Sequence, residues 1–458
     1  MLRSLIILCF LPLSAVIAQE RYQQIPEKTR ILLLLDGSGS MLASWEDTNR
    51  ITIAKNILSD LVDSLRNDRS LELALRVYGH RFARSAQNCT DSKLEIPFAA
   101  NNHDQIISRL ANIQPKGTTP IAYSLEQSAN DFPVSDGYRN IIILITDGIE
   151  SCDGDPCRIS RELQQKGIFL RPFVIGIGMD QSFSEAFECV GSYYDASDVG
   201  QFRFALSQAV ETSLLTSTVS VDIQDENGRS NQSNINVSFI NAITGQSEFD
   251  FIHYRYPNGQ PDSVELDPVV PYHVRVNTLP PVTKRSQQFP PGRHTVVEVE
   301  APRGTLTLRQ DGAGSYGPGL KVLVRRSDRQ NWFHAQDINA SQAYLRGTYD
   351  VEFLTLPKVI RRDVMVNTDK ETIVEIPSPG IVNMDHAAGG FGSIYVLDEN
   401  NIPEWVCDIN HSGQRMAIAL QPGKYRIAFR ARMAPGSKYT SVKEFEVLAG
   451  QSSLIKLF

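Results

Sequence analysis

The stretch Ile31-Leu-Leu-Leu-Leu-Asp36-Gly-Ser-Gly-Ser-Met41 decides the fold. An unbroken apolar run of this length reads as a strand covered on both faces. An acidic residue, two glycines and two serines follow it at once, which places a polar loop at the strand's C-terminal end. In an open α/β sheet that edge is where ligands bind. Asp36, Ser38 and Ser40 stand at alternating positions, and a tight turn permitted by Gly37 and Gly39 would bring their oxygens to one point. Hard oxygen donors of this kind suit Mg²⁺ or Mn²⁺, with Ca²⁺ also admitted. Mg²⁺ commonly keeps waters, so an open coordination position is expected.

Outward from this loop, residues 28–215 alternate short apolar runs with amphipathic segments. The runs Leu71–Tyr78, Ile141–Ile145 and Ile168–Ile177 read as further buried strands. The segments Ile51–Arg66, Asp104–Asn112, Ile121–Asp131, Arg158–Lys166 and Gln201–Leu214 read as helices. That pattern predicts an α/β domain, doubly wound around a parallel sheet.

After Thr216 the helical period gives way to short alternating strands with Gly, Pro and Asn turns. Tyr272-His-Val-Arg-Val, Tyr349-Asp-Val-Glu-Phe and Tyr425-Arg-Ile-Ala-Phe recur at spacings of 77 and 76 residues, and Thr295-Val-Val-Glu-Val, Thr372-Ile-Val-Glu-Ile and Ser453-Leu-Ile-Lys-Leu recur behind them. Three tandem all-β sandwich modules are expected, over 216–302, 303–378 and 379–458. They resemble the small surface sandwiches called PEGA-like modules, without the literal Pro-Glu-Gly-Ala turn.

Two further elements join the Asp36 loop. Lys116-Gly-Thr-Thr-Pro-Ile121 is a polar loop ahead of a helix, and Ile141-Ile-Ile-Leu-Ile-Thr-Asp147-Gly148 is a buried strand ending in a carboxylate. Together the three elements resemble the metal-ion-dependent adhesion site of von Willebrand factor type A (VWA) domains, a Rossmann-like fold. The motif there is Asp-x-Ser-x-Ser, a Thr in a Gly-rich loop, and an Asp followed by Gly. The resemblance implies Asp36, Ser38, Ser40, Thr119 and Asp147 as metal ligands. Thr118 stands where the family has its second Gly. It further implies a partner protein whose Asp or Glu carboxylate completes the metal shell. The overall plan is similar to that of uncharacterised bacterial envelope proteins with a VWA domain.

Around this edge Trp45, His80, Arg81, Thr118 and Glu150 are candidates for a partner-binding rim, with core capping for Trp45 and a solvated loop for His80 and Arg81 as the alternatives. Asp155-Pro156 reads as a helix N-cap followed by Pro. Of the six cysteines, Cys9 lies in the leader described next. Of the others, Cys152–Cys157 is the first choice for a disulfide and Cys89–Cys189 the second, leaving Cys407.

Arg3 followed by the apolar run Leu5–Val16 and a small-residue ending at Ala18 reads as a signal peptide over 1–18, with 19–27 a linker. The product is expected to be exported to a periplasm, the cell envelope or the medium. No later run approaches the roughly 20 apolar residues of a membrane span. A formal net charge of −7 argues against nucleic acid or an anionic lipid surface as partner. There is no His-Glu-x-x-His and no Gly-x-Ser-x-Gly, and the eight histidines are scattered. A binding protein is therefore expected rather than an enzyme. The alternative is an envelope scaffold that docks an assembly without a metal.

Overall fold

The computed structural model describes residues 28–457 apart from 135–136, 175–186, 188–189, 191–193, 195, 231, 313, 318, 386–388 and 412–414. The expected leader and linker, and Cys189, lie outside the described residues. The chain divides into two compact units between Thr218 and Val219, with Glu265–Val270 and Phe289–Arg293 grouped with the first.

In the first unit, β1 (Lys28–Asp36), β2 (Leu71–Tyr78), β3 (Ser92–Ala99), β4 (Tyr138–Thr146) and β5 (Ile168–Val174) form one sheet in the order β3-β2-β1-β4-β5. The central strand β1 runs parallel to β2 and β4, with Ile31 opposite both Leu73 and Ile141. Its apolar run is explained by burial on both faces. Ile31, Leu33 and Leu35 pack with residues of α1 (Arg50–Ser64), α2 (His103–Ala111) and the last helix of the unit (Val199–Leu214). Leu32 and Leu34 pack on the other side with α3 (Ile121–Ser128) and α4 (Pro156–Gln165). Helix starts follow local chemistry. Asn49 accepts from Thr52 N at α1 and Asp155 accepts from Arg158 N at α4, where Pro156 supplies the first turn. Among the described residues no helix is long and apolar enough to cross a membrane.

The parallel α/β sheet is as expected, with one added edge strand that the apolar pattern did not announce: β3 pairs antiparallel with β2. Ser-Lys-Leu-Glu-Ile-Pro-Phe-Ala is only half-buried and carries Pro97, so it lacks the plain apolar signature of its neighbours. Proline is tolerated there because the strand lies at the sheet edge.

The second unit is all-β. Three modules each combine a three-stranded with a four-stranded sheet. Strands Tyr272–Val276, Gly347–Phe353 and Gly423–Ala431 hold the same place in their four-stranded sheets, third in order from the edge. Tyr272, Tyr349 and Tyr425 are buried in each, and the Tyr349 and Tyr425 hydroxyls donate to the carbonyls of Leu345 and Gln421, four residues back. The recurrent Tyr is thus a core residue, with its polar end satisfied by a backbone carbonyl in the second and third modules.

The loop after each of the first two such strands reaches the next module. Leu279 packs against the core of the second module and its carbonyl accepts from Leu345 N at 2.8 Å. Leu356 packs against the core of the third, with its carbonyl accepting from Gln421 N at 2.7 Å. Leu356→Ala is expected to cost about 2–3 kcal/mol, read as a lower urea midpoint. An unchanged midpoint would show that the third core closes without this side chain.

Candidate metal centre

Asp36 is the last residue of β1, and Asp147 follows Thr146 at the end of the adjacent parallel strand β4. Parallel pairing puts both carboxylates at the same edge. The loop after β1 is pinned on both sides. Gly37 N donates to Tyr78 O, and Gly39 N donates to Gly117 O while Lys116 N donates back to Gly37 O. The Gly-Ser stretch and the Lys116–Thr119 loop are therefore zipped together. Gly37 is required by proximity rather than by an unusual backbone angle, since a Cβ there would lie 2.8 Å from His80 Cβ. Gly79 needs both, with φ +67° and a notional Cβ 2.3 Å from Thr118 O.

The side chains form one connected series. Asp36 Oδ1 accepts from Ser38 N and its Oδ2 from the Thr146 hydroxyl, both at 2.7 Å. The Ser38 and Ser40 hydroxyls are 2.8 Å apart, and Ser40 donates to Asp147 Oδ1 at 2.7 Å. Arg50 Nη1 donates to Asp147 Oδ2 at 2.7 Å. Asp36 and the Asp147 side chain are fully buried. Burial first, and the Asp147 charge second, push the Asp36 carboxyl up to about 6 against the lowering effect of Ser38 and Thr146. Two buried acids, the buried Ser38 hydroxyl and the exposed Ser40 hydroxyl meet at this edge and fit a hard dication by donor type and by charge.

Thr119 is buried in the adjoining loop, and its hydroxyl makes no hydrogen bond among the described residues. It is not joined to the Asp36–Asp147 series. Thr118 is turned to another task, donating its hydroxyl to Asn88 O at 2.9 Å. Sequence reasoning missed Thr146 and Arg50. Thr146 carried a signal, since it precedes Asp147 in the motif. Arg50, at the first position of a helix, carried none.

Several rim expectations are corrected. Trp45 is a core residue, 1% exposed and packed against Phe202, so it cannot anchor a partner. His80 is buried, with Nε2 2.9 Å from Glu95 Oε1. Burial lowers its imidazole below the ordinary value despite that carboxylate. Thr118 is buried as well. Glu150 is occupied in capping, its carboxylate accepting from Ala122 N at 2.6 Å and Cys152 N at 2.8 Å. Arg81 remains partly exposed but is fastened to Asp91 at 2.8 Å. The disulfide expectation also changes. Cys152 is bonded to Cys89, and not to Cys157. The bridge joins the loop before β3 to the loop after β4, two segments that flank Thr118 and Thr119.

Glu95 gathers His80, Lys93 and Arg109 beneath this edge. Burial raises its carboxyl, but the hydrogen bonds from Arg109, His80 and Lys93 outweigh that and hold it below the ordinary range. A depressed carboxyl contributes stability that is present above the unfolded value of about 4.5 and is lost as pH falls through the folded value. Glu95→Gln is expected to cost about 3 kcal/mol at pH 7 by leaving Lys93 and Arg109 without their counter-charge. In urea titrations the difference from wild type should shrink below pH 4.5; a pH-independent difference would place the effect in packing.

The von Willebrand factor type A domain model matches residues 31–203. Protein YwmD of Bacillus subtilis (strain 168), described as uncharacterized, is 28% identical over 187 residues, 39% of this chain and 83% of its own length. Among solved structures, the conserved hypothetical protein BatB from Bacteroides thetaiotaomicron is 22% identical, over 40% of this chain and 98% of that one, with a TM-score of 0.34. Proximal thread matrix protein 1 from the mussel byssus, in a form described with a zinc-occupied MIDAS motif, is 15% identical over 44% of this chain and 53% of its own, with a TM-score of 0.35. On the family match and the sheet order together, the N-terminal α/β unit is a von Willebrand factor type A domain, and all-β modules follow it.

Proposed function

We propose that this is an extracytoplasmic protein that binds a partner protein through a divalent cation. The observation that carries the reading is the connected series Asp36–Ser38–Ser40–Asp147, two carboxylates and two hydroxyls converging at one sheet edge. Asp36, Ser38, Ser40, Asp147 and Thr119 would hold Mg²⁺ or Mn²⁺. A dication there supplies positive charge and an open position for an oxygen ligand, which an Asp or Glu of the partner fills. Asp36 and Asp147 are buried, and an ion they hold is partly withdrawn from bulk water, which strengthens its attraction for a carboxylate. Export is supported by the leader-like start and by the Cys89–Cys152 bridge, which persists in oxidising compartments.

The test is calorimetric titration of the purified protein with Mg²⁺, Mn²⁺ and Ca²⁺, beside an Asp36→Ala/Asp147→Ala double variant. Heat of binding in the wild type alone is expected. Equal behaviour of the two proteins would overturn the assignment. An envelope scaffold is the second reading, favoured by the tandem modules. It is distinguished by partner capture that survives EDTA.

A further inference from the structure

The helix α1 begins with a residue of the wrong charge. Arg50 is its first residue, where the backbone N–H groups already present partial positive charge and a cation is disfavoured. Its backbone N–H is tied to Ala43 O at 3.1 Å, at the end of the Gly-Ser loop. Its guanidinium is turned to Asp147, Nη1 to Oδ2 at 2.7 Å, with the Arg50 side chain 18% exposed and that of Asp147 0%. Arg50 Nε is buried with no hydrogen-bond partner. A side chain that accepts an unfavourable helix position and an unpaired buried nitrogen is held by the carboxylate it meets.

We infer that Arg50 is a tethered counter-cation that competes with the divalent ion for Asp147 and so sets the affinity of the site. The inference rests on the metal-binding reading above. Asp147 Oδ1 is shared with Ser40 and Oδ2 with Arg50, so an ion drawing on this carboxylate meets a fixed positive charge on it. The charge count follows. Asp36 and Asp147 balance a dication, and Arg50 leaves the combination one unit positive. A partner's carboxylate restores neutrality. Arg50 thereby weakens binding of the ion alone and strengthens the demand for an anionic ligand, which links metal loading to partner arrival.

The experiment is Mn²⁺ titration by calorimetry on the full chain, for wild type, Arg50→Gln and Arg50→Lys, with thermal unfolding of each in EDTA and in saturating Mn²⁺. Arg50→Gln is expected to bind Mn²⁺ at least tenfold more tightly than wild type. It should melt lower in EDTA and gain more from Mn²⁺. Arg50→Lys keeps the charge without the planar fork, and should fold like wild type with an affinity between the two. Equal affinities for wild type and both variants, or weaker binding by Arg50→Gln, would overturn the inference and leave the metal site standing. Should Arg50→Gln fail to fold, Arg50→Lys decides: an affinity no higher than wild type's overturns the inference. Absence of Mn²⁺ binding in all three would sink the metal reading and this inference with it.

Discussion

Asp36→Asn is expected to abolish calorimetrically detectable Mg²⁺ and Mn²⁺ binding while making the protein more stable in EDTA, not less. The two effects share one cause. Asp36 is fully buried beside a second carboxylate, and its carboxyl is raised to about 6. For a raised acid the sign is the reverse of the usual one. Its contribution to stability is full below the unfolded value of 3.8 and is lost as pH rises through about 6. At pH 7 the charged group therefore costs folding free energy, on the order of 3 kcal/mol. Asparagine keeps an oxygen for Ser38 N, removes the charge, and should recover much of that cost. The gain should fade as pH is lowered from 7 to 4, where the wild-type acid takes up its proton. Urea midpoints in EDTA at both pH values would measure it. A variant less stable than wild type at pH 7 would mean that the hydrogen bonds to Ser38 and Thr146 outweigh burial and repulsion.

Breaking the Cys89–Cys152 bridge with serine at both positions is expected to cost about 4 kcal/mol, the chain-entropy estimate for a closed loop of this size, the two cysteines being 63 residues apart. The loss should appear in guanidinium unfolding as a lower midpoint. It should also reach the site. Asn88 O accepts the Thr118 hydroxyl, and Ser151 exchanges hydrogen bonds with the Thr119 backbone through its Oγ and N–H. The bridge between Cys89 and Cys152 thus holds both sides of the Thr119 loop, and metal affinity should fall with it. A stability loss with unchanged metal affinity would show that the loop is positioned by its zipper to the Gly-Ser stretch alone.

The interaction role and the three modules each rest on a different kind of sequence signal. The recurrent Tyr strands declared the modules because an inward-facing residue must recur wherever the same core recurs, as Tyr272, Tyr349 and Tyr425 do. The joints made by Leu279 and Leu356 were not legible, since a leucine in a loop looks the same whether it caps its own module or fills the next.

For the α/β domain, the sequence by itself determined the central strands, the helices and the edge that carries the candidate site. Strands buried on both faces must be apolar throughout, and a carboxylate directly after such a strand can only emerge at its C-terminal end. What the tertiary structure alone decided is which side chains meet there. It placed Trp45 in the core and spent His80, Thr118 and Glu150 on internal hydrogen bonds. It bonded Cys152 across 63 residues to Cys89 and not to its near neighbour. It also brought Arg50 to Asp147, 97 positions away. Pairings of this kind depend on where loops from different strands converge. No local pattern encodes that convergence, because charge neutralisation and hydrogen-bond satisfaction act between whatever groups the packed sheet places in reach.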